Sequence, residues 1–284
     1  MNIWGEELPD VLLTPEQSRF LSAFAARPRI MLDEMWRQLD AVWIATDLDR
    51  IRTERGLADY YAHPVWILNG IFTATDPVSA GHRLAIANWL ASKGIRRIAD
   101  FGGGSGWLAR AIVEASPDSR VDIIEPYPSA ISLHLAQRFP GIRWIDRLGD
   151  GYDAVIAQDV LEHVADPVGT AARLVQALRG GGHAIFANCF YPVISCHLPE
   201  TFHLRHTFDT VMRPIGINFQ QRIPGAEHAR VYVRKDGSPF PAAGLLQARR
   251  RESVARIIGP LLNVAFDTAV GLRWKLAGGQ STRG

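Results

Sequence analysis

Apolar residues along this chain follow two rhythms. Between about residues 96 and 188, short continuous apolar runs alternate with segments in which apolar residues return every three or four positions. Runs at 97–101, 121–125, 142–146 and 152–157, and a fifth ending at Asn188, are short and apolar enough for buried parallel strands. Between them, residues 107–115 place Leu108, Ala111, Ile112 and Ala115 on one helical face, and Ile131, Leu135 and Phe139 recur at four-residue steps after Ser129, a capping residue. Asp166 and Pro167 read as the N-cap and first residue of another helix, and Arg179 with Gly180, Gly181 and Gly182 reads as a helix end before the fifth strand. This alternation predicts a doubly wound α/β domain, a mostly parallel sheet with helices on both faces. Its ligand should lie beyond the carboxyl ends of the strands, where Asp100, Glu125, Gln158 and Asn188 fall.

Outside that region the rhythm is helical. Thr14, Pro15, Glu16 and Gln17 form a helix-start signature, and Phe20, Leu21, Phe24, Leu32, Met35, Trp36, Leu39, Val42 and Trp43 follow at helical spacing. Residues 217–220 and 228–234 can supply two final strands as an antiparallel hairpin. Pro239, Pro241 and Gly244 then mark a linker. The terminal segment sets Val254, Ile258, Leu261, Ala265 and Leu272 beside Arg249, Arg250, Arg251 and Arg256. Such a basic amphipathic helix either covers its own domain or touches an anionic membrane surface or a partner. Three parts result: a helical extension over 1–80, an α/β core over 81–235, and a linker with a helix over 236–284.

Composition narrows the class. A net charge of +2 on 284 residues gives no argument for nucleic acid, although the segment from Leu245 carries seven basic and two acidic residues. Two cysteines, Cys189 and Cys196, oppose a disulfide scaffold and suit a reducing cytoplasm. The amino terminus lacks an export pattern, and no apolar run reaches membrane-spanning length, so a cytoplasmic protein without a transmembrane segment is expected.

The chemistry is concentrated after the first core strand, where Asp100 precedes glycines at 102, 104 and 106. Glycines there permit positive φ and let bare backbone lie against a ligand. The dinucleotide fingerprint needs a glycine five positions after the first, and from Gly102 that position is Trp107. From Gly104 it is Ala109, and from Gly103 the middle glycine falls on Ser105, so no register fits. No Gly-Lys-Ser or Gly-Lys-Thr holds a triphosphate. About 20 residues on, Glu125 closes the second strand, where a doubly wound fold places an acid for ribose hydroxyls.

The pattern of Asp100 with the three alternating glycines resembles motif I of the class I S-adenosylmethionine-dependent methyltransferases. The phrase from Leu161 through Glu162, His163 and Val164 to Asp166 and Pro167 resembles a segment of their small-molecule members. The likeness spans roughly residues 80 to 235. It implies a Rossmann-like fold and S-adenosylmethionine as methyl donor, leaving S-adenosylhomocysteine. It implies that Asp100, Gly102, Gly104, Gly106 and Glu125 cradle the donor, with Asp146 at the adenine and Gln158 at the strand edge. It further implies that the amino-terminal extension is a lid, with packing on the sheet edge or a homodimer surface as the alternatives.

Residues 191–213 depart from generic fold material, with His197, Glu200, His203, Arg205 and His206 close together. On that connection the family builds acceptor contacts, so Tyr191, Arg205 and His206 are the acceptor-binding candidates. A metal set from His197, Glu200, His203 and His206 is conceivable by spacing, but Pro199 interrupts a shared helical face, and no metal is assigned. The sulfonium methyl is already activated, so the protein mainly aligns a nucleophile and excludes water. For a hydroxyl acceptor a histidine is the natural base, with His163 first and His197 and His203 as alternatives. The reading is O-methylation of a small polar acceptor, a sugar, glycoconjugate or natural product. N-methylation of a small amine and a catalytically silent cofactor-binding scaffold are the alternatives.

Overall fold

The computed structural model describes residues 1–235 and 242–276, without side chains at 135, 242 and 271–276. A two-stranded ribbon, β1 (Asn2–Ile3) and β2 (Glu6–Glu7), opens the chain. Four helices follow: α1 (Pro15–Ala25), α2 (Leu32–Ala45), α3 (Glu54–Ala62) and α4 (Val65–Thr75). The expected start of α1 is a capping box, in which Thr14 Oγ1 accepts from the Gln17 amide while the Gln17 side chain accepts from the Thr14 amide. These helices enclose their own apolar cluster around Leu21, Met35, Trp43, Tyr60 and Phe72, into which Ile131, Cys196 and Leu198 of the core also pack. Helix α5 (Pro77–Ser92), capped by Asp76, runs across residue 80 and lies on the core.

The core then alternates β3 (Arg97–Phe101), α6 (Trp107–Ala115), β4 (Arg120–Ile124), α7 (Ala130–Gln137), β5 (Ile142–Trp144), β6 (Tyr152–Gln158), α8 (Pro167–Ala177) and β7 (Leu178–Ala187). After α9 (Phe208–Met212), the hairpin β8 (Ile217–Ile223) and β9 (Ala226–Arg234) completes one seven-stranded sheet. Its order is β5-β4-β3-β6-β7-β9-β8, with the first five strands parallel and β9 antiparallel to both its neighbours, β7 and β8. The sheet is buried on both faces, which explains why its strands are mostly apolar and do not alternate. Val155 and Ala157 pack toward α8 and α9, whereas Ala154 and Ile156 pack toward α5 and α6.

Two local expectations change. The glycines at 180–182 do not end a helix. Asp166 caps α8 as expected, but α8 stops at Ala177, and the glycines lie inside β7, where Gly181 has φ of 71° and the pairing register with β6 shifts. The terminal helix α10 (Ala242–Leu276) is longer than its periodicity indicated and includes Gly244, placed in the linker from sequence. Pro239 and Pro241 lie outside the described residues. Ala243–Val270 of this helix is long and apolar enough, at a mean hydropathy of 1.2, to cross a membrane, although no such run was expected. Ala248, Glu252, Ala255 and Gly259 nevertheless bury one side of it against the core. At Gly259 the approach is close, since a Cβ would sit 2.6 Å from the His203 carbonyl oxygen.

Candidate active site

Strand β3 delivers Asp100 and the glycine loop to the carboxyl edge of the sheet. Gly102, Gly104 and Gly106 have φ of 71°, 55° and 79°, the left-handed region that alternating glycines were expected to serve. A Cβ on Gly102 would also stand 2.5 Å from the Val160 side chain. The Glu125 carboxylate accepts from the Gly104 amide of the loop and from the Tyr127 amide, each at 3.2 Å. Burial raises the Glu125 carboxyl above its ordinary range, against those two hydrogen bonds. Asp100 is buried, with Oδ2 unpartnered among the described residues. Burial pushes it up to about 7, opposed by nearby Arg83 and reinforced by Glu125. A buried carboxylate oxygen lacking a donor, beside a cradle that only glycine can form, fits a bound polar cofactor.

Among the other expected cofactor groups, Gln158 ends β6 and its Nε2 stands 3.5 Å from Asp159 Oδ2. Asp146 is exposed two residues beyond the edge strand β5. Asn188, just after β7, has a buried Oδ1 without a partner among the described residues. Asp159, not singled out from sequence, adopts a φ of 54°, costly for a residue with a Cβ, while its amide donates to the Ala187 carbonyl at 2.7 Å. Its charge acts on Arg83, Glu162, Tyr191 and His197, which locates it among the groups on both sides of the site.

The acceptor side is built on the turn after β6. Glu162 Oε1 accepts from the Cys189 amide at 2.7 Å, and its backbone carbonyl accepts from the Leu198 amide at 2.9 Å, so the connection after β7 wraps this turn. His163 and His197 meet edge to face, their ring centroids 4.9 Å apart. His163 Nδ1 lies 3.0 Å from the Cys196 carbonyl and His197 Nδ1 lies 2.9 Å from the Tyr191 carbonyl. A carbonyl only accepts, so both Nδ1 atoms carry hydrogen and both Nε2 atoms present lone pairs. Burial, then the neighbouring His197, holds His163 down to about 3, and burial also lowers His197. Both are neutral near pH 7.

Other expected residues are drawn elsewhere. His203 is buried against α10, with Nε2 3.5 Å from Glu252 Oε1. His206 packs its ring on Phe266 of the same helix, at 4.7 Å between centroids. Glu200 pairs with Arg52, so the set of His197, Glu200, His203 and His206 is not assembled. Arg205 lies over the Tyr191 ring at 4.9 Å and binds Asp267 at 3.0 Å, which joins the two acceptor candidates to the edge of α10. Tyr61 of α3 stacks on Tyr127 at 5.9 Å and 6°. Burial raises its hydroxyl well above the ordinary value, and the charges of Cys196, Glu125 and Glu162 add to this. The helical extension therefore reaches both halves of the site.

Residues 99–184 match the family model described as a methyltransferase domain. The CurJ carbon methyltransferase superposes with a TM-score of 0.52 at 13% identity, over 82% of this chain and 73% of that one. An O-methyltransferase family protein from Burkholderia thailandensis gives 0.49 at 12% identity, over 77% of each chain. The riboflavin-analogue dimethyltransferase RosA from Streptomyces davawensis gives 0.47 at 19% identity, over 74% and 75%. No curated protein sequence matches this chain.

Proposed function

We propose that the chain, whose residues 99–184 match a methyltransferase domain, is a class I S-adenosylmethionine-dependent methyltransferase that methylates a hydroxyl of a small polar acceptor such as a sugar, glycoconjugate or natural product. Bound in the cradle, S-adenosylmethionine supplies an activated methyl group. The chain aligns and shields. The glycine-loop backbone and Glu125 receive the donor, Asp100 offers its unpartnered oxygen, and Tyr61 with the helical extension acts as the lid that limits water.

One observation carries the preference for oxygen: the two neighbouring imidazoles, fixed by backbone carbonyls, both turn out lone pairs. A hydroxyl brings the hydrogen those lone pairs take, which leaves its own lone pair free to face the methyl group. Held down to about 3, His163 is a weak base, and orienting the acceptor is the role that suits it. Tyr191 and Arg205 border the acceptor. Release of S-adenosylhomocysteine across sugar nucleotides, glycolipids, phenols and amines tests the reading. Turnover confined to hydroxyl acceptors is expected, and turnover of amines alone overturns it in favour of N-methylation. A chain that binds no donor in calorimetry is instead the silent scaffold.

We also propose a cytoplasmic protein whose terminal helix touches an anionic membrane surface. Leu246, Arg250, Val254, Ile257, Leu261 and Val264 recur at three- and four-residue steps on the exposed side of α10, supporting a peripheral contact through apolar groups with a cation among them. Both cysteines are free thiols, as in a reducing compartment.

A further inference from the structure

Glu162, His163 and His197 each offer a ligand atom, all within 4.8 Å of one another. Three features of this cluster point the same way. Both imidazoles donate Nδ1–H to a backbone carbonyl, the arrangement that orients metal-ligating histidines and leaves Nε2 as the donor. Glu162 is fully buried, and while Oε1 takes the Cys189 amide, Oε2 has no partner among the described residues. A buried carboxylate oxygen without a donor is costly, and a cation would satisfy it. Finally, two neutral nitrogens and one carboxylate oxygen from three side chains leave a coordination position open, as in reactive rather than purely structural sites.

We propose that Glu162, His163 and His197 bind one divalent transition-metal ion of the zinc, cobalt or manganese class, held by the two Nε2 atoms and by Glu162 Oε2. Metal–ligand bonds of about 2.0–2.2 Å set tetrahedral ligands roughly 3.3 Å apart, so the three side chains close modestly around the ion. The cluster adjoins the acceptor side, because Asp159 acts on both Glu162 and His197 and the connection through Tyr191 supplies one of the carbonyls. Resting on the O-methylation reading, the open position takes the acceptor oxygen, which is then presented through the ion instead of directly to the imidazoles. A metal-bound hydroxyl would lose its proton to solvent more readily, and its oxygen would then bond to the donor's methyl carbon as the carbon–sulfur bond breaks, the electron pair staying on sulfur in the departing S-adenosylhomocysteine.

Metal uptake is read without any acceptor. The full chain, stripped with chelator, is titrated with Co2+ and Zn2+ in competition with a chromophoric chelator, and the visible spectrum of the cobalt form is recorded. One equivalent per chain is expected, with a cobalt spectrum typical of four or five nitrogen and oxygen ligands. Glu162→Gln and His197→Gln should each weaken uptake more than about 100-fold, beyond the 10- to 100-fold typical of losing a supporting partner. His134→Gln, a histidine of α7 outside the cluster, should leave uptake unchanged. S-adenosylhomocysteine binding by calorimetry certifies that each variant is folded. No stoichiometric uptake by the wild-type chain, or affinities that folded Glu162 and His197 variants leave unchanged, overturns the site. Failure of the acceptor panel leaves this measurement intact, and an absent metal leaves methyl transfer itself open.

Discussion

Glu252 Oε1 of the terminal helix stands 3.5 Å from His203 Nε2 while the same carboxylate takes Arg249 at 3.0 Å and Arg256 at 2.8 Å. The carboxylate is buried and both arginines are partly exposed, so they neutralise a charge that would otherwise be stranded. These partners hold its carboxyl down to about 2 despite burial. Glu252→Ala should therefore destabilise the protein by about 1–3 kcal/mol, the exposed arginines keeping the loss below that of a fully buried pair. Thermal unfolding measures this. Affinity for S-adenosylhomocysteine should hold, because the network fastens α10 to the connection after β7 and does not touch the glycine loop.

Gly102 is doubly constrained, by a φ of 71° and by Val160 at 2.5 Å from the position a Cβ would take. Gly102→Ala should displace the loop and abolish donor binding. Glu125→Ala removes a carboxylate and its hydrogen bond from the Gly104 amide, but adds no Cβ to the loop. It should weaken donor affinity by about 1.5–3 kcal/mol, roughly 10- to 150-fold, the range for hydrogen bonds to a charged group. Titration calorimetry with S-adenosylhomocysteine separates the two outcomes, and a Glu125→Ala chain that binds as well as wild type removes the ribose-acid assignment.

Asp100 gives the ligand-free protein a pH dependence of known sign. Its carboxyl ionises near 3.8 in the unfolded chain and is pushed up to about 7 in the folded one, where Arg83 and Glu125 face it. Between those values the folded state holds more protons, so stability falls as pH rises and the loss is complete above about 7. Asp100→Asn should flatten this decline between pH 4 and 7. Denaturant melts of both chains across that range check it, and a variant with the wild-type slope would show that another group carries the effect. The decline left in Asp100→Asn belongs to Glu125 and Glu162, both raised by burial, Glu162 up to about 8, while His163, held down to about 3, opposes it.

What the sequence made legible was set by local rules. The mostly apolar runs at 97–101 and 152–157 are strands because a doubly covered sheet has no polar face, and three glycines at alternate positions do adopt positive φ. The acceptor side was less legible because its geometry is tertiary. His203 and Glu200 lie three residues apart, yet one is bound by Glu252, 49 residues later, and the other by Arg52, 148 residues earlier. Spacing along a connection cannot report such partners. Glu162 carried a signal in its neighbour His163, but its burial follows from the Cys189 amide folding back onto it. Strands β1 and β2, at two residues each, are too short for any period to show.

The exposed side of α10 yields the last expectation. Ile257, Leu261 and Val264 are 73%, 68% and 66% exposed, a contiguous apolar strip that water covers poorly, and Arg250 lies two turns before Ile257 on the same side. The buried side of the helix is occupied by Ala248, Glu252, Ala255 and Gly259, so the strip is available while α10 stays docked. Pairing Ile257→Glu with Leu261→Glu should leave the melting temperature within about 2 °C, since surface substitutions rarely exceed 0.5 kcal/mol. It should abolish cosedimentation with vesicles containing phosphatidylserine. Arg250→Glu should weaken binding at low salt by about 2 kcal/mol, because a charge reversal counts twice the roughly 1 kcal/mol per cation at an anionic surface. Equal binding to neutral vesicles would leave Arg250 without a part. If wild type sediments as a dimer and the paired variant as a monomer, with no vesicle binding by either, the strip belongs to a second copy of the chain.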